Sequence, residues 1–193
     1  MLRRVTYADY LAAEHHSERK HEFIDGVIVA MAGGSDEHNA IGFRFSGLFM
    51  ARMPRGCRGY TSDQRFWIPA TGHARYSDGS IICGKPVHPA HDNQATTNPW
   101  VIVEVLSPSS KGDDEGEKRR EFQSLPSLQA YVIAAQDARC VKIYRRTERG
   151  EWRDEPDLYR DGESFELPRL LRPIAVDDVY DDILDVAGRS LLH

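Results

Sequence analysis

The pattern of apolar and polar residues predicts two helices near the start of the chain. Thr6 and Asp9 form a capping box that places the first helix over residues 7–14. Ser35 is suited to cap a second helix over residues 36–53. The second helix is amphipathic, because its apolar residues fall on one side at helical spacing: Ile41, Phe45, Leu48 and Phe49.

Runs rich in β-branched and aromatic residues predict a series of strands. Residues 22–31 form a hairpin around Asp25-Gly26, and Asp161-Gly162 is a second hairpin signal. Residues 60–69 alternate as one strand, and residues 70–74 follow as a turn. The other predicted strands cover residues 81–83, 100–106, 129–135, 139–146, 151–159, 164–167 and the beginning of 174–184.

The order of these elements predicts a mixed α/β fold. A third helix is expected over residues 114–124, capped by Ser110 or Asp113 and closed by Pro126. The chain has 193 residues and neither an internal repeat nor a linker, so residues 1–193 are expected to form one domain.

Composition indicates a globular protein, with 40% hydrophobic and 28% charged residues. Apolar runs fall short of the roughly 18 to 20 residues that span a bilayer, and the start of the chain does not resemble a signal peptide. We therefore expect no membrane association and a cytoplasmic location. Cys57, Cys83 and Cys140 are odd in number and scattered, which predicts reduced thiols.

The net charge of −5 argues against a broadly basic surface for nucleic acid. Local basic groups are present at residues 52–58, 118–120 and 142–146. Nucleases can be acidic overall because their metal ligands add negative charge, so the net charge does not exclude this class.

Glu104 interrupts the apolar run from Val101 to Leu106, where a buried carboxylate is costly unless something binds it. Asp78 is a second acid, just before the apolar run that begins at Ile81. Two acids from neighbouring strands are suited to hold a hard divalent cation. The alternatives are a turn role for Asp78 and a solvated or arginine-paired Glu104.

Lys118 and Asp114 share a face of the predicted third helix. Phe122 and Leu125 should bury that face, which brings Lys118 toward the sheet, where an ammonium group can orient water and screen phosphate charge. An ordinary surface ion pair between Asp114 and Lys118 is the alternative.

Glu22 and His38 are weaker candidates. Glu22 opens the first strand, where its carboxylate could support the metal ligands. His38 lies in the first turn of a helix and could contact phosphate or the metal shell, although a surface role is common for such a histidine. A zinc site from His73, Cys83, His88 and His91 matches no standard spacing.

Five motifs resemble the Uma family of restriction-endonuclease-like proteins in the PD-(D/E)XK nuclease superfamily. They occur in the same order over roughly residues 5–185: His21-Glu-Phe-Ile-Asp-Gly26, Ser77-Asp78, Val103-Glu-Val-Leu-Ser-Pro-Ser109, Gly116-Glu-Lys118 and Pro126-Ser-Leu-Gln-Ala-Tyr-Val132. The resemblance implies a restriction-endonuclease-like core, with a central mixed sheet flanked by helices, and a homodimer.

The same resemblance assigns roles residue by residue. Asp78 and Glu104 are implied as metal-binding acids, Glu22 as the auxiliary acid and Lys118 as the catalytic lysine. The sequence departs from the superfamily pattern in two places. Ser77 replaces the proline, and Leu106 stands where the lysine is expected, so Lys118 would act from a migrated position.

These expectations combine into a Mg²⁺- or Mn²⁺-dependent endonuclease that hydrolyses phosphodiester bonds in DNA. Asp78, Glu104 and the main-chain carbonyl of Val105 would hold the metal, while His38 and Asp114 would lie on the substrate side. Two alternatives remain: a nuclease-like module that binds nucleic acid or protein with little catalysis, and a purely structural polar cluster.

Overall fold

A computed structural model describes residues 4–106 and 111–183. The helices are α1 (Tyr7–His15), α2 (Asp36–Met50), α3 (Lys111–Asp114), α4 (Glu117–Gln123) and α5 (Val176–Tyr180). The strands are β1 (His21–Ile24), β2 (Val27–Ala30), β3 (Cys57–Thr61), β4 (Arg65–Ile68), β5 (His73–Tyr76), β6 (Gly79–Cys83), β7 (Ala95–Thr96), β8 (Val101–Leu106), β9 (Ala130–Ala135), β10 (Cys140–Arg145), β11 (Asp157–Arg160), β12 (Ser164–Phe165) and β13 (Ile174–Ala175). In the part of the chain that is described, no helix is both long and apolar enough to cross a membrane.

The strands form two larger sheets and one short pair. One sheet has the order β2-β1-β5-β4-β7, the other has the order β11-β10-β9-β8-β6-β3, and β12 pairs with β13. Both larger sheets are mixed, because β8 runs parallel to β9 and β4 runs parallel to β7. The chain passes from the first sheet to the second between β5 and β6, at Ser77 and Asp78.

Strand β8 lies inside the six-stranded sheet and is buried along its whole length. Its odd-numbered residues face a core that includes Phe45 of α2. Ile102 and Leu106 face a second core that includes Phe122 of α4. Because side chains alternate along a strand, Glu104 points to the α4 side. The predicted mixed sheet flanked by helices is confirmed, whereas the single domain over residues 1–193 stays a prediction.

Several local predictions are confirmed. Thr6 and Asp9 make both hydrogen bonds of the capping box. Asp25 and Gly26 both have positive φ, at 49° and 77°, as the tight hairpin between β1 and β2 requires. The Ser35 hydroxyl accepts a hydrogen bond from a main-chain N–H in the first turn of α2, although this helix ends at Met50 rather than at residue 53.

Three predicted elements are wrong. Residues 60–69 are divided between β3 and β4, which belong to different sheets, and residues 73–74 of the expected turn lie in β5. The Asp161-Gly162 turn does not close a hairpin, because β11 pairs with β10 and β12 pairs with β13. Ser110 and residue 184 lie outside the described residues.

The predicted third helix, over residues 114–124, is confirmed for the most part as α4, but its start is wrong, because Asp114 belongs to the separate short helix α3. A Cβ atom at Gly116 would lie 2.4 Å from the carbonyl oxygen of Gly112, so the bend between the two helices needs a glycine at this position. Asp114 therefore ends α3, and Lys118 lies in α4.

Cys57 and Cys83 form a disulfide, so the expectation of free thiols is wrong for both. They are directly opposite each other on β3 and β6, with Cα atoms 4.0 Å apart. Strand β3 is at the edge of its sheet, so the disulfide links an edge strand to its neighbour. Cys140 is a free thiol.

Replacing both bridging cysteines, C57S together with C83S, should lower the free energy of unfolding by about 3 kcal/mol. The reason is that the cross-link closes a loop with a sequence separation of 26, which restricts the unfolded chain. Urea unfolding under non-oxidising and oxidising conditions measures the effect, and C140S is the control. Equal stabilities of the oxidised wild type and the double variant would contradict the disulfide.

Candidate metal centre

Asp78 is held where the chain leaves one sheet and enters the other. Its Oδ2 accepts a hydrogen bond of 2.7 Å from the main-chain N–H of Val105. This donor is available because β8 continues beyond Val103, the last residue of that strand paired with β6. Asp78 is thereby fixed beside the residue that follows Glu104.

His38 contacts the other oxygen of Asp78, with 3.1 Å between Nε2 and Oδ1. The imidazole lies against Gly34, where a Cβ atom would come within 2.4 Å of Cδ2 of His38. Glycine at position 34 therefore leaves room for the ring. This arrangement links the start of α2 to the crossing between the sheets.

Glu104 is 2% exposed and faces the Lys118 ammonium group. Lys118 Nζ lies 3.0 Å from Oε1 of Glu104 and 3.2 Å from Oδ1 of Asp114. Both contacts join buried groups, because each of these side chains is at most 10% exposed. Two buried carboxylates thus share one cation.

Burial raises the pKa of Glu104 well above its usual value. Lys118 opposes this shift, while the charges of Asp114 and Asp78 add to it. Burial alone would lower the pKa of Lys118, but Glu104 and Asp114 raise it above its usual value, so the lysine is charged. The cluster therefore favours an additional positive charge near Glu104.

Asp78 and His38 shift each other's pKa in opposite directions. Burial alone would raise the pKa of Asp78, but the hydrogen bond and charge of His38 bring it below 3.8. The hydrogen bond to Asp78 raises the pKa of His38 above 6.5, against the effect of burial. The charge of Lys118 also lowers the pKa of Asp78, as it does that of Glu104, so one lysine acts electrostatically on both acids.

Val105 presents its main-chain polar groups on the same side as Asp78. The N–H and C=O groups of one strand residue point to the same edge of the strand. Since the Val105 N–H reaches Asp78, its carbonyl is directed to that side as well. Carboxylate and carbonyl oxygens are the ligands that Mg²⁺ and Mn²⁺ prefer, so the donor types at Asp78, Glu104 and Val105 fit such an ion.

Glu22 belongs to a neighbouring network. Its Oε1 accepts a hydrogen bond of 3.1 Å from the Tyr76 main-chain N–H, and its Oε2 lies 2.9 Å from Arg75. Its charge still contributes to the raised pKa of Lys118. Both oxygens already have protein donors, and its role as an auxiliary acid stays a prediction.

Arg75 is the centre of that network and was missed by the sequence reasoning. Its guanidinium group contacts three acids, at 2.6 Å for Glu121, 2.9 Å for Glu22 and 3.1 Å for Asp113. A charged residue three positions before Asp78 was the available signal. Because residues 70–74 were predicted to form a turn, Arg75 was not expected in a strand, whereas the structure places it in the buried strand β5.

His73, Glu117 and Glu121 form another group with the spacing of metal ligands. His73 Nε2 lies 3.1 Å from the Asp25 main-chain nitrogen and 3.2 Å from Asp25 Oδ1, and its Nδ1 contacts Glu121. The group is therefore a hydrogen-bonded pair beside an exposed glutamate.

The zinc alternative is wrong. Cys83 is in a disulfide and His73 is bonded to Glu121. His88 Nδ1 contacts the Ala95 carbonyl, and the His91 ring packs edge-on against Trp67.

Comparisons with known proteins agree with this architecture. The family model of Uma2, described as a putative restriction endonuclease, matches residues 7–178. Two uncharacterised proteins of Synechocystis are similar to the chain. One is 34% identical over 149 residues, covering 77% of this chain and 84% of the relative. The other is 33% identical over 173 residues, covering 89% of each.

A solved structure has a similar fold. It is a putative nuclease belonging to DUF820 from Anabaena variabilis, which superimposes with a TM-score of 0.71. The match covers 91% of this chain and 98% of that one, at 17% sequence identity. The comparison therefore shows a shared fold.

Replacing Asp78 with Asn should lower the pKa of His38, because the hydrogen bond and the charge of Asp78 no longer raise it while burial still lowers it. Folding raises the pKa of His38, so the stability that this histidine contributes is fully present below about pH 6.5 and is lost as the pH rises through its folded pKa. Folding lowers the pKa of Asp78, so the stability that this acid contributes is lost as the pH falls through its folded pKa. Histidine NMR titration measures the shift, with D92N as the control variant. An unchanged His38 pKa in D78N would contradict the assigned contact.

Proposed function

The chain belongs to the Uma2 family of restriction-endonuclease-like proteins, and from this premise we propose that it is a Mg²⁺- or Mn²⁺-dependent nuclease that hydrolyses phosphodiester bonds in DNA. The observation that supports the proposal most directly is the pairing of buried Glu104 with Lys118, beside an Asp78 that is tied to Val105. A carboxylate of raised pKa inside an apolar strand is typical of functional sites.

In the proposed mechanism, Asp78, Glu104 and the Val105 carbonyl would hold the ion. A bound divalent ion would polarise the scissile phosphate and lower the pKa of a bound water. Lys118 positions the attacking water and stabilises the negative charge that develops on the phosphate oxygens. Its approach is fixed from two sides, by Glu104 and by Asp114.

His38 and Asp114 complete the proposed site. Protonated His38 would donate to a phosphate oxygen once substrate is present, since its raised pKa favours the charged form. The Asp114 carbonyl accepts a hydrogen bond of 3.1 Å from the Tyr131 hydroxyl, which fixes the end of α3. Asp114 would therefore act on the substrate side by orienting Lys118.

One observation favours a second candidate function, a nuclease-like module that binds DNA without cutting it. Lys118 already contacts Glu104, and His38 already contacts Asp78, so both acids have protein cations as partners. Such pairs could stabilise a polar cluster with no metal. Cleavage assays separate the two functions.

The purified protein should cleave plasmid and linear DNA only when Mg²⁺ or Mn²⁺ is added. D78N and E104Q should each reduce cleavage by about 100-fold or more, and K118M should reduce it while metal still raises the melting temperature. D92N is the control, because Asp92 is a buried acid that is paired with Arg65. DNA binding without cleavage under either metal would support the module instead.

We also propose a homodimer, formed through the exposed face of α2. Phe43 and Met50 are 80% and 77% exposed and lie about two turns apart on this helix. Around a two-fold axis, Phe43 of one copy would contact Met50 of the other, which is a favourable aromatic–sulfur pair.

Light scattering should give a mass of about twice 21.9 kDa for the wild type. F43E should shift the mass to that of a monomer, because the charge would be buried without a partner in the interface. L171E is the control, since Leu171 is 68% exposed at a different position. A monomeric wild type, or an F43E variant that stays dimeric, would overturn this part of the proposal.

A further inference from the structure

Arg75 is the most completely buried charged side chain beside the candidate metal centre, at 1% exposure. Its Nε donates to Glu121, and one terminal nitrogen donates to both Glu22 and Asp113. Burial alone would lower the pKa of Arg75, but these acids raise it, so the guanidinium stays charged. None of its partners is among the proposed ligands at Asp78, Glu104 and Val105.

The three partners lie on separate elements. Glu22 is in β1, Asp113 is in α3 and Glu121 is in α4, while Arg75 itself is in β5. The bend between α3 and α4 is at Gly116, which has no side chain to brace the two helices against each other. Arg75 contacts one residue on each side of this bend.

Two of the residues that Arg75 contacts lie close to Asp114 and Lys118 in the chain. Asp113 directly precedes Asp114, which contacts the Lys118 ammonium group. Glu121 lies about one helical turn after Lys118 on α4. Fixing Asp113 and Glu121 therefore fixes the position and direction from which Lys118 approaches Glu104.

We propose that Arg75 is a positioning residue, which clamps α3 and α4 so that the Lys118 ammonium group meets Glu104. The consequence for catalysis rests on the proposed nuclease function, whereas the effect on Lys118 does not. A lysine at position 75 would keep the charge but could not reproduce the planar fork that reaches three acids. Arg75→Lys should therefore loosen the clamp and leave a cation in the core.

Arg65 supplies a matched control within the same sheet. It is 6% exposed, lies in β4 next to β5, and makes three side-chain hydrogen bonds, two to Asp92 and one to the Tyr76 hydroxyl. Arg65→Lys breaks a comparable buried fork that contacts neither α3 nor α4. A purely structural role for Arg75 predicts that the two variants behave alike.

Two measurements on the full-length protein test the proposal, with melting temperatures recorded for both variants. The first is steady-state cleavage of linear DNA, and the second is acetylation of Lys118 by an amine-reactive ester, followed by mass spectrometry. R75K should lower kcat by about 10- to 100-fold with KM unchanged, as expected when a reacting group is misplaced. It should also increase acetylation of Lys118, which is 8% exposed in the wild type.

R65K should change neither kcat nor Lys118 acetylation, although its melting temperature should fall. If the wild type is active, the proposal requires that R75K shows both the lower kcat and the increased acetylation of Lys118, and that R65K shows neither. Any other combination overturns the proposal. If the wild type cleaves no DNA with any divalent metal, the nuclease function fails by itself. Acetylation then decides the role of Arg75, and equal labelling of Lys118 in the wild type and R75K would overturn it.

Discussion

The cost of burying the Glu104 carboxylate is the constraint on which the candidate site depends. Glu104 lies in a fully buried strand, where an isolated charge would be strongly destabilising. Lys118 offsets part of this cost from 3.0 Å, yet the pKa of Glu104 stays well above its usual value. Asp114 and Asp78 add further negative charge nearby, so a divalent cation would relieve an imbalance that one lysine leaves.

The parts of the site that the sequence predicts are those with a strong local signal. Glu104 stands out because it is the one acid in an apolar run, and Asp78 because it comes directly before another. The caps at Thr6 and Ser35 and the Asp25-Gly26 turn follow from local hydrogen bonding and backbone preference, and the structure contains them all. Lys118 was found through family resemblance and helical spacing, although Asp114 and Lys118 lie in two separate helices.

The features that the sequence does not predict depend on long-range register. The division of residues 60–69 between two sheets occurs at a turn without glycine or proline, so the alternating pattern continues through it. The pairing of Cys57 with Cys83 follows from the register of β3 against β6, which composition does not reveal. Arg75 gathers acids from three elements that are far apart in the chain, and only the fold brings them together.

The most direct test of the account is a crystal soaked with Mn²⁺ and measured at the manganese absorption edge. The account predicts one anomalous peak bounded by Asp78, Glu104 and the Val105 carbonyl, with oxygen ligands at roughly 2.0 to 2.6 Å. Lys118 should remain beside the peak. A fully occupied peak elsewhere, with Asp78 still held by His38 and the Val105 N–H and with Glu104 still held by Lys118, would contradict a metal centre at this position.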